Sequence, residues 1–596
     1  LISIVVPKTQ ELARSKLRSS NVDYFEGLIK PKKFNDTIKG LTIYAEDKNK
    51  NEEFKNIYIK KNNSVSGFQI TFAKKGVFEL KGNKRILVLY DGHPQVITPN
   101  IKNFAKSAVS FKNAYSNDPM CGPSRSSMLL GVYPHNSSNF WQRSWLQNNV
   151  LSNTKTIMEK FKENNYDVIG SGKILHHNKN ELWTEFEHQA DYSPIAYQGE
   201  WKRGKKGIAH PDVPKPYRTV KDLDGFNMAG GAIDGSYGPL KNLDGIKVND
   251  EEVRWAYGPS RKGKTFKYID ENNRDLTPDE INAQWAENRL LELANSDSEK
   301  PFFLAVGFLR PHTPLIVPQK YFDMYPLEDI ELANILENDK DDTYLHTVSQ
   351  FETPGRRVRS IQMYKNLVAS YADDKEGLKR FTQAYLACVT AVDENIGQVL
   401  NAVDNSKLKD NTIVVIVSDH GWTMGEKEHV YKNSLWEEST RVPMLIRAPG
   451  ISKADSKVYH PVSLIDVYPT LLDLAGLDFE TTKNDQGRPL DGFSLKPFLK
   501  TPNLNEWEGP DGALSVVYTS DKNADIPSNH HYSVRTRNWR YILYNTGEEE
   551  LYNNSNDPKE WNNLIFNKTH PKTQELRNLL KEMTYPVVPE GFSNIK

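Results

Sequence analysis

The chain has 596 residues, 38% of them hydrophobic and 11% aromatic, with 77 Lys+Arg balanced by 77 Asp+Glu. That length exceeds one simple core and predicts two or three domains, the composition excludes a disordered chain, and the charge balance gives no support to a nucleic-acid partner. Two cysteines exclude a disulfide framework, and no apolar run reaches the length of a transmembrane helix.

The chain starts at Leu1 without methionine or a signal-peptide pattern, as expected of a fragment or a processed product. Short β-type runs come next, at Leu41–Ala45, Ile57–Ile59, Phe68–Phe72, Val77–Leu80 and Ile86–Tyr90. Lys, Asn and Gly separate them, which predicts a small antiparallel sheet with polar turns. The stretches Pro-Lys-Thr-Gln-Glu-Leu-Ala-Arg-Ser and Lys-Gly-Leu-Thr-Ile-Tyr-Ala-Glu resemble the periplasmic part of a lipopolysaccharide-export permease. In that resemblance Leu1–Val6 would be the tail of a membrane helix. At His93 the character changes, so residues 1–92 are read as one β-rich domain. Arg85–Asp91 fits two places: the end of that sheet, or a first strand of the next domain with Asp91 at its C-terminal end.

From residue 93 to about 475, strand-like apolar runs alternate with helical patterns, which predicts an α/β domain with a mostly parallel sheet. Met120–Gly131 reads Met-Cys-Gly-Pro-Ser-Arg-Ser-Ser-Met-Leu-Leu-Gly. Proline favours the first helical position and glycine the position past the end. Cys121 is therefore placed at a helix N-terminus, where free N–H groups and the helix dipole favour an anion. Arg125, one turn along, adds a positive charge suited to sulfate or phosphate. An ordinary capped helix with a buried cysteine accounts for the local segment equally well. The same residues, Cys121, Pro123, Ser124, Arg125 and Gly131, resemble the signature of type I sulfatases. That resemblance implies conversion of Cys121 to formylglycine by a maturation enzyme, an alkaline-phosphatase-like fold, and a periplasmic or secreted location.

Further along, Lys155–Lys162 reads as a helix and Tyr166–Gly170 as a short strand, followed by Ser-Gly-Lys-Ile-Leu-His-His. This is similar to the Gly-Lys-x-x-His of sulfatases of the iduronate-2-sulfatase type. The match implies that Lys173 binds a sulfate oxygen and His176 contacts the formylglycine hydroxyl, with His177 as the neighbour an alignment would confuse with it. Lys202, Arg203, Lys205, Lys206, Lys215, Arg218 and Lys221 crowd one loop. Such a run is ordinarily a solvated face, but beside an anion site it would steer a polyanionic substrate. Asp279–Ala294 reads as an amphipathic helix.

Pro301–Phe308 is continuously apolar and predicts a central parallel strand buried on both faces. Leu-Arg-Pro-His-Thr-Pro follows at its C-terminal end, where open α/β sheets collect ligand groups. By resemblance His312 binds sulfate and protonates the leaving oxygen. Phe381, Tyr385, Cys388, Val392, Ile396, Val399 and Val403 mark one face of a long helix, which makes Cys388 an inert core residue. Thr412–Gly421 is a strand ending in Asp419-His420-Gly421, half of a divalent-cation site in which Ca²⁺ would favour oxygen ligands. The resemblance adds the residue at 121 to that metal set, with Asp91 as one candidate carboxylate where the family uses an Asp-Asp pair. It also places Lys432 as the second sulfate-binding lysine and Trp422 as a substrate contact.

Val462–Gly476 reads as a helix capped by Gly476. Tyr532–Arg535, Arg540–Tyr544 and Glu550–Tyr552 predict short antiparallel strands, with Asp557–Leu564 opening a last helix. Sulfatases end in such a four-stranded subdomain, so residues 476–596 are read as a C-terminal unit beside the catalytic domain 93–475. Together these matches imply a Ca²⁺- and formylglycine-dependent sulfatase acting on sulfated carbohydrate. The alternatives are an inactive glycan-binding remnant and a phosphoesterase of the same superfamily, which would carry an intact Ser or Thr nucleophile.

Overall fold

The computed structural model describes residues 32, 34–38, 41–48, 54–63, 67–81, 84–89, 95–198, 207–214, 234–248, 250–258, 264–333, 335–343, 359–519, 525–566 and 570–585. Asp91 and the basic residues between Lys202 and Lys221 lie outside them. The chain divides into two compact units. One holds the described residues up to Val96 with Asn538–Arg540 and Tyr552–Leu564; the other holds Ile97–Arg537, Tyr541–Leu551 and the described residues from Ile565 onward.

The first unit is an antiparallel meander of five strands, β1 (Phe34–Ile38), β2 (Leu41–Lys48), β3 (Phe54–Asn63), β4 (Gly67–Lys81) and β5 (Lys84–Leu89). One expectation is corrected. The runs at Phe68–Phe72 and Val77–Leu80 form a single 15-residue strand, because Ala73–Gly76 continue the ladder to β3. The Ile86–Tyr90 run takes the first of its two expected places, the end of this sheet: β5 pairs antiparallel with β4, Val77 opposite Val88.

The second unit opens with α1 (Pro99–Ala105), β6 (Val109–Tyr115) and α2 (Cys121–Leu130). Gly131 ends α2 with φ of 73°, a left-handed conformation that glycine adopts without a Cβ penalty. Next come α3 (Ile157–Glu163), started by a Thr156/Glu159 capping box, β7 (Asp167–Gly172) and β8 (Glu185–Gln189). A second capping box, Thr277/Glu280, starts α4 (Pro278–Asn295), which leads into β9 (Phe302–Gly307). The 31-residue α5 (Asp374–Asp404) precedes β10 (Val414–Val417) and β11 (Arg441–Arg447). Then come β12 (Ser456–Val458), β13 (Val462–Ser463) and α6 (Val467–Ala475), capped as expected by Gly476 at φ 67°.

These strands form one layer in two pieces. One is parallel, in the order β9-β7-β8. The other runs β10-β11-β6-β12, with β13 also on β6 and only β11 antiparallel to its neighbours. The same helices cover both pieces. Leu290 and Ala294 of α4, with Ala402 and Val403 of α5, pack on Phe302 and Leu304 of β9 and on Val414 of β10. On the other face, Met128 of α2 packs into both the cluster holding Phe303 and Ala305 and the cluster holding Val415 and Val417. Among the described residues β9 and β10 each pair along one edge only. Every residue of both strands is half-buried although both faces are covered, so the expectation that Pro301–Phe308 is a central strand is corrected: among the described residues β9 is an edge strand. A strand with one open edge leaves its flank to solvent however apolar it is.

The C-terminal sheet follows the order β14 (Gly512–Val517), β15 (His531–Thr536), β16 (Arg540–Leu543) and β17 (Glu549–Tyr552). Its first strand, all of it buried, escaped the sequence reading. The last helix, α7, runs from Pro571 to Thr584, N-capped by His570. Asp557–Leu564 forms turns rather than its first turn.

Candidate active site

The residues singled out from the sequence converge on Cys121. It is the first residue of α2, follows an extended Met120, and is 1% exposed. Ser124 ties the helix start to the end of β10, its hydroxyl donating to the Asp419 carbonyl at 2.5 Å. Arg125 donates from Nε to the Asp419 carboxylate at 2.7 Å and from Nη1 to the carbonyls of Lys173 and Ile174. One guanidinium thus links the ends of α2, β7 and β10.

Parallel register delivers Lys173. β7 and β9 end together at Gly172 and Gly307, and the Lys173 amide donates to the Gly307 carbonyl at 2.8 Å. A Cβ on Gly307 would stand 2.1 Å from the Lys173 carbonyl oxygen, so this close passage requires glycine. Lys173, 3% exposed, reaches to 3.7 Å from the Cys121 sulfur. Lys432, 2% exposed, reaches to 2.9 Å from that sulfur and 3.0 Å from His312 Nε2. His312 Nδ1 lies 2.6 Å from the Thr313 carbonyl. His420 completes the ring of nitrogens, Nε2 at 3.2 Å from the sulfur and Nδ1 at 2.8 Å from the Gly421 carbonyl.

Burial alone would raise the Cys121 thiol, but Lys432, Lys173 and His420 outweigh it and hold it well below its ordinary value. Burial would also raise Asp419, yet Arg125 and His420 bring it down to about 2. Burial, with Lys432 and Lys173, depresses His312 to about 4. His176 falls to about 4 by burial and the field of Lys173; its Nδ1 is buried without a partner, and its ring stacks obliquely on His177 at 4.8 Å. Cys388 is the opposite of Cys121: buried in the α5 core, its thiol is pushed up to about 12.

Cys121, Asp419 and His420 offer ligand atoms that all lie within 4.8 Å of one another. Trp422 is 7% exposed between Tyr431, Tyr385 and Phe381, with Nε1 buried and unpartnered. Two residues at the site escaped the sequence reading. The half-buried Tyr192 ring receives the Lys173 ammonium at 4.9 Å and meets the His312 ring edge-on at 5.3 Å. Asp118 is fully buried with neither carboxylate oxygen partnered, and burial together with the charge at Cys121 raises it well above the carboxylate range. Neither has a local signal: Tyr192 sits in an irregular segment, and only the folded sheet brings it to His312.

The arrangement is a dry anion cradle, with two ammonium groups and two imidazoles around one side chain at a helix N-terminus. Comparison with known proteins agrees. The Sulfatase family model matches residues 85–477, and one for the N-sulphoglucosamine sulphohydrolase C-terminal region matches 425–585. A sulfatase of Formosa agariphila is 32% identical over 489 residues, covering 81% of this chain and 81% of its own. Mouse iduronate 2-sulfatase is 29% identical over 508 residues, covering 76% and 81%. Among solved structures, a protein in complex with its substrate D-glucosamine-2-N,6-O-disulfate has TM-score 0.52 at 20% identity, covering 84% of this chain and 98% of its own. A phosphonate monoester hydrolase from Silicibacter pomeroyi has TM-score 0.55 at 20% identity, covering 82% and 90%. At that identity the two structures establish the shared alkaline-phosphatase-like fold. With the family model spanning about two thirds of its length, the chain belongs to the sulfatase family of sulfuric ester hydrolases.

Proposed function

We propose that this chain hydrolyses sulfate esters of a carbohydrate, using a formylglycine made from Cys121. The observation that carries the reading is the buried Cys121 sulfur with Lys432, His420 and Lys173 nitrogens at 2.9, 3.2 and 3.7 Å. A residue so placed suits an oxygen-bearing group that becomes anionic. Formylglycine would supply a hydrated aldehyde as the nucleophile, splitting one difficult displacement into two.

The chain's own residues do the rest. Lys173 and Lys432 hold the sulfuryl oxygens and stabilise the charge that develops on them. Arg125 fixes the Asp419 carboxylate and the Lys173 backbone. His312, whose Nε2 lies 3.0 Å from the Lys432 ammonium, is the proposed acid for the leaving oxygen; the anionic sulfate ester bound beside it raises its imidazole so that it carries the proton it gives up. His176 withdraws a proton from the group at 121 to release sulfate.

Sulfatases generally use a divalent cation, and Asp419, His420, the residue at 121 and Asp91 are the proposed ligands. The described donors fit it poorly. They are one carboxylate engaged by Arg125, one imidazole and one sulfur, whereas Ca²⁺ takes six to eight oxygens. No step is therefore routed through the metal. The proposed organisation is a β-rich, permease-like segment (1–92), a catalytic domain (93–475) and a C-terminal subdomain (476–596), acting in the periplasm or outside the cell after maturation by a formylglycine-generating enzyme. Among the described residues no helix is long and apolar enough to cross a membrane.

The test is an intact-mass measurement of the Cys121 peptide, with sulfate release followed in two variants. The aldehyde mass is expected, together with complete loss of release in Cys121→Ala and near-normal release in Cys388→Ala. Equal loss in both folded variants would sink the assignment, and a folded, matured chain that releases no sulfate would favour the glycan-binding remnant.

A further inference from the structure

A ladder of four aromatic rings ends beside the catalytic helix. It starts in the core with Phe140 and His530, 0% and 1% exposed, whose ring centroids are 3.9 Å apart. His530 leads to Tyr518 at 5.4 Å, and Tyr518 to Trp141 at 5.5 Å and 32° between planes. The two inner rings are sealed, while Tyr518 and Trp141 are half-buried. Two distant segments meet here: the loop after α2 supplies Phe140 and Trp141, and the region after β14 supplies Tyr518 and His530.

The main chain at the Trp141 end packs against the start of the catalytic helix. A Cβ on Gly122, the residue after the cysteine, would stand 3.0 Å from the Trp141 carbonyl and 2.7 Å from Gln142 Oε1. That Gln142 oxygen is buried without a hydrogen-bond partner. Trp141 itself has φ of 60°, the left-handed region that costs a bulky residue free energy and recurs where function over-determines the backbone. An unfavourable backbone conformation thus holds Trp141 beside the start of the catalytic helix, its ring against that of Tyr518.

We propose that Trp141 and Tyr518 form a sugar subsite, taking the apolar C–H face of the pyranose ring next to the one that carries the scissile sulfate. The inference deepens the proposed carbohydrate-sulfatase reading and rests on it. Two half-buried rings beside a polar, donor-lined cradle match a ligand with an apolar ring face and an anionic substituent. A rigid aromatic platform supplies contact area at little conformational cost.

The experiment measures kcat/KM of the matured full chain on nitrocatechol sulfate and on sulfated tetrasaccharides of ulvan and of glycosaminoglycans. The best tetrasaccharide then serves for Trp141→Ala, Tyr518→Ala and Trp141→Phe. The ratio of tetrasaccharide to aryl-sulfate kcat/KM is expected to fall about tenfold in each alanine variant, mostly through KM. Trp141→Phe should keep most of it. An unmoved ratio in Trp141→Ala, or in Tyr518→Ala should the first fail to fold, overturns the subsite. Wild-type chain that cleaves the aryl sulfate but no tetrasaccharide overturns it too. Wild-type chain that cleaves neither defeats the underlying sulfatase reading instead.

Discussion

Lys173 and Lys432 reach one sulfur from opposite parts of the sequence, the end of β7 and the segment after β10. Both are almost fully buried, so each would replace solvent around an anion in a site with little water. A charge-assisted hydrogen bond in such a place is worth about 1.5–3 kcal/mol. Lys173→Ala and Lys432→Ala should therefore each slow sulfate release by roughly ten- to a hundredfold. Steady-state kinetics on folded variants will check this, and unchanged rates in either variant would remove that lysine from the site. Lys432 should cost more, because its ammonium lies 2.9 Å from the Cys121 sulfur, against 3.7 Å for Lys173.

Helix α2 and the interrupted sheet decide what the elements do. Gly131 ends the helix in a left-handed conformation, and a Cβ there would stand 2.2 Å from a Leu490 methyl. The left-handed backbone alone costs a non-glycine residue about 1–2 kcal/mol. Gly131→Ala should lower stability by at least that much, read as a shift in the urea midpoint at constant slope. The facing edges of β9 and β10 give a second expectation. Among the described residues these strands have a ladder partner on one side only, so hydrogen exchange along Phe302–Gly307 and Val414–Val417 should run at least about tenfold faster than along β7 and β11. Equal protection in all four strands would show that both edges are covered in solution.

On the scale of the molecule the matter to settle is the cation. Affinity for Ca²⁺ follows the number and charge of its oxygen ligands, and in the group of Cys121, Asp419 and His420 only Asp419 is a carboxylate, already held by Arg125. Calorimetric Ca²⁺ titration should give at least tenfold weaker binding for this chain than for one whose residues 1–92 are replaced by a sulfatase-type strand ending in Asp-Asp. Comparable tight binding by both would mean that the N-terminal segment completes the site.

Much of this was legible from local chemistry. Proline and glycine at fixed offsets placed Cys121 at a helix start and Gly131 at its end, and the apolar spacing from Phe381 to Val403 announced the long helix with Cys388 inside it. These signals survive because caps, turns and helical periodicity are properties of a few neighbouring residues. Three things were not local. Ala73–Gly76 looked like a break between strands, but cross-strand pairing with β3 carried the ladder through it. The Ile86–Tyr90 run fitted two places, and only the antiparallel pairing of β5 with β4 decided between them, because an apolar run does not state its partner. Tyr192, Trp141 and Tyr518 carry no motif at all. Tyr192 meets His312, and Trp141 meets Tyr518, only because the ends of parallel strands and the returning C-terminal sheet bring distant segments together.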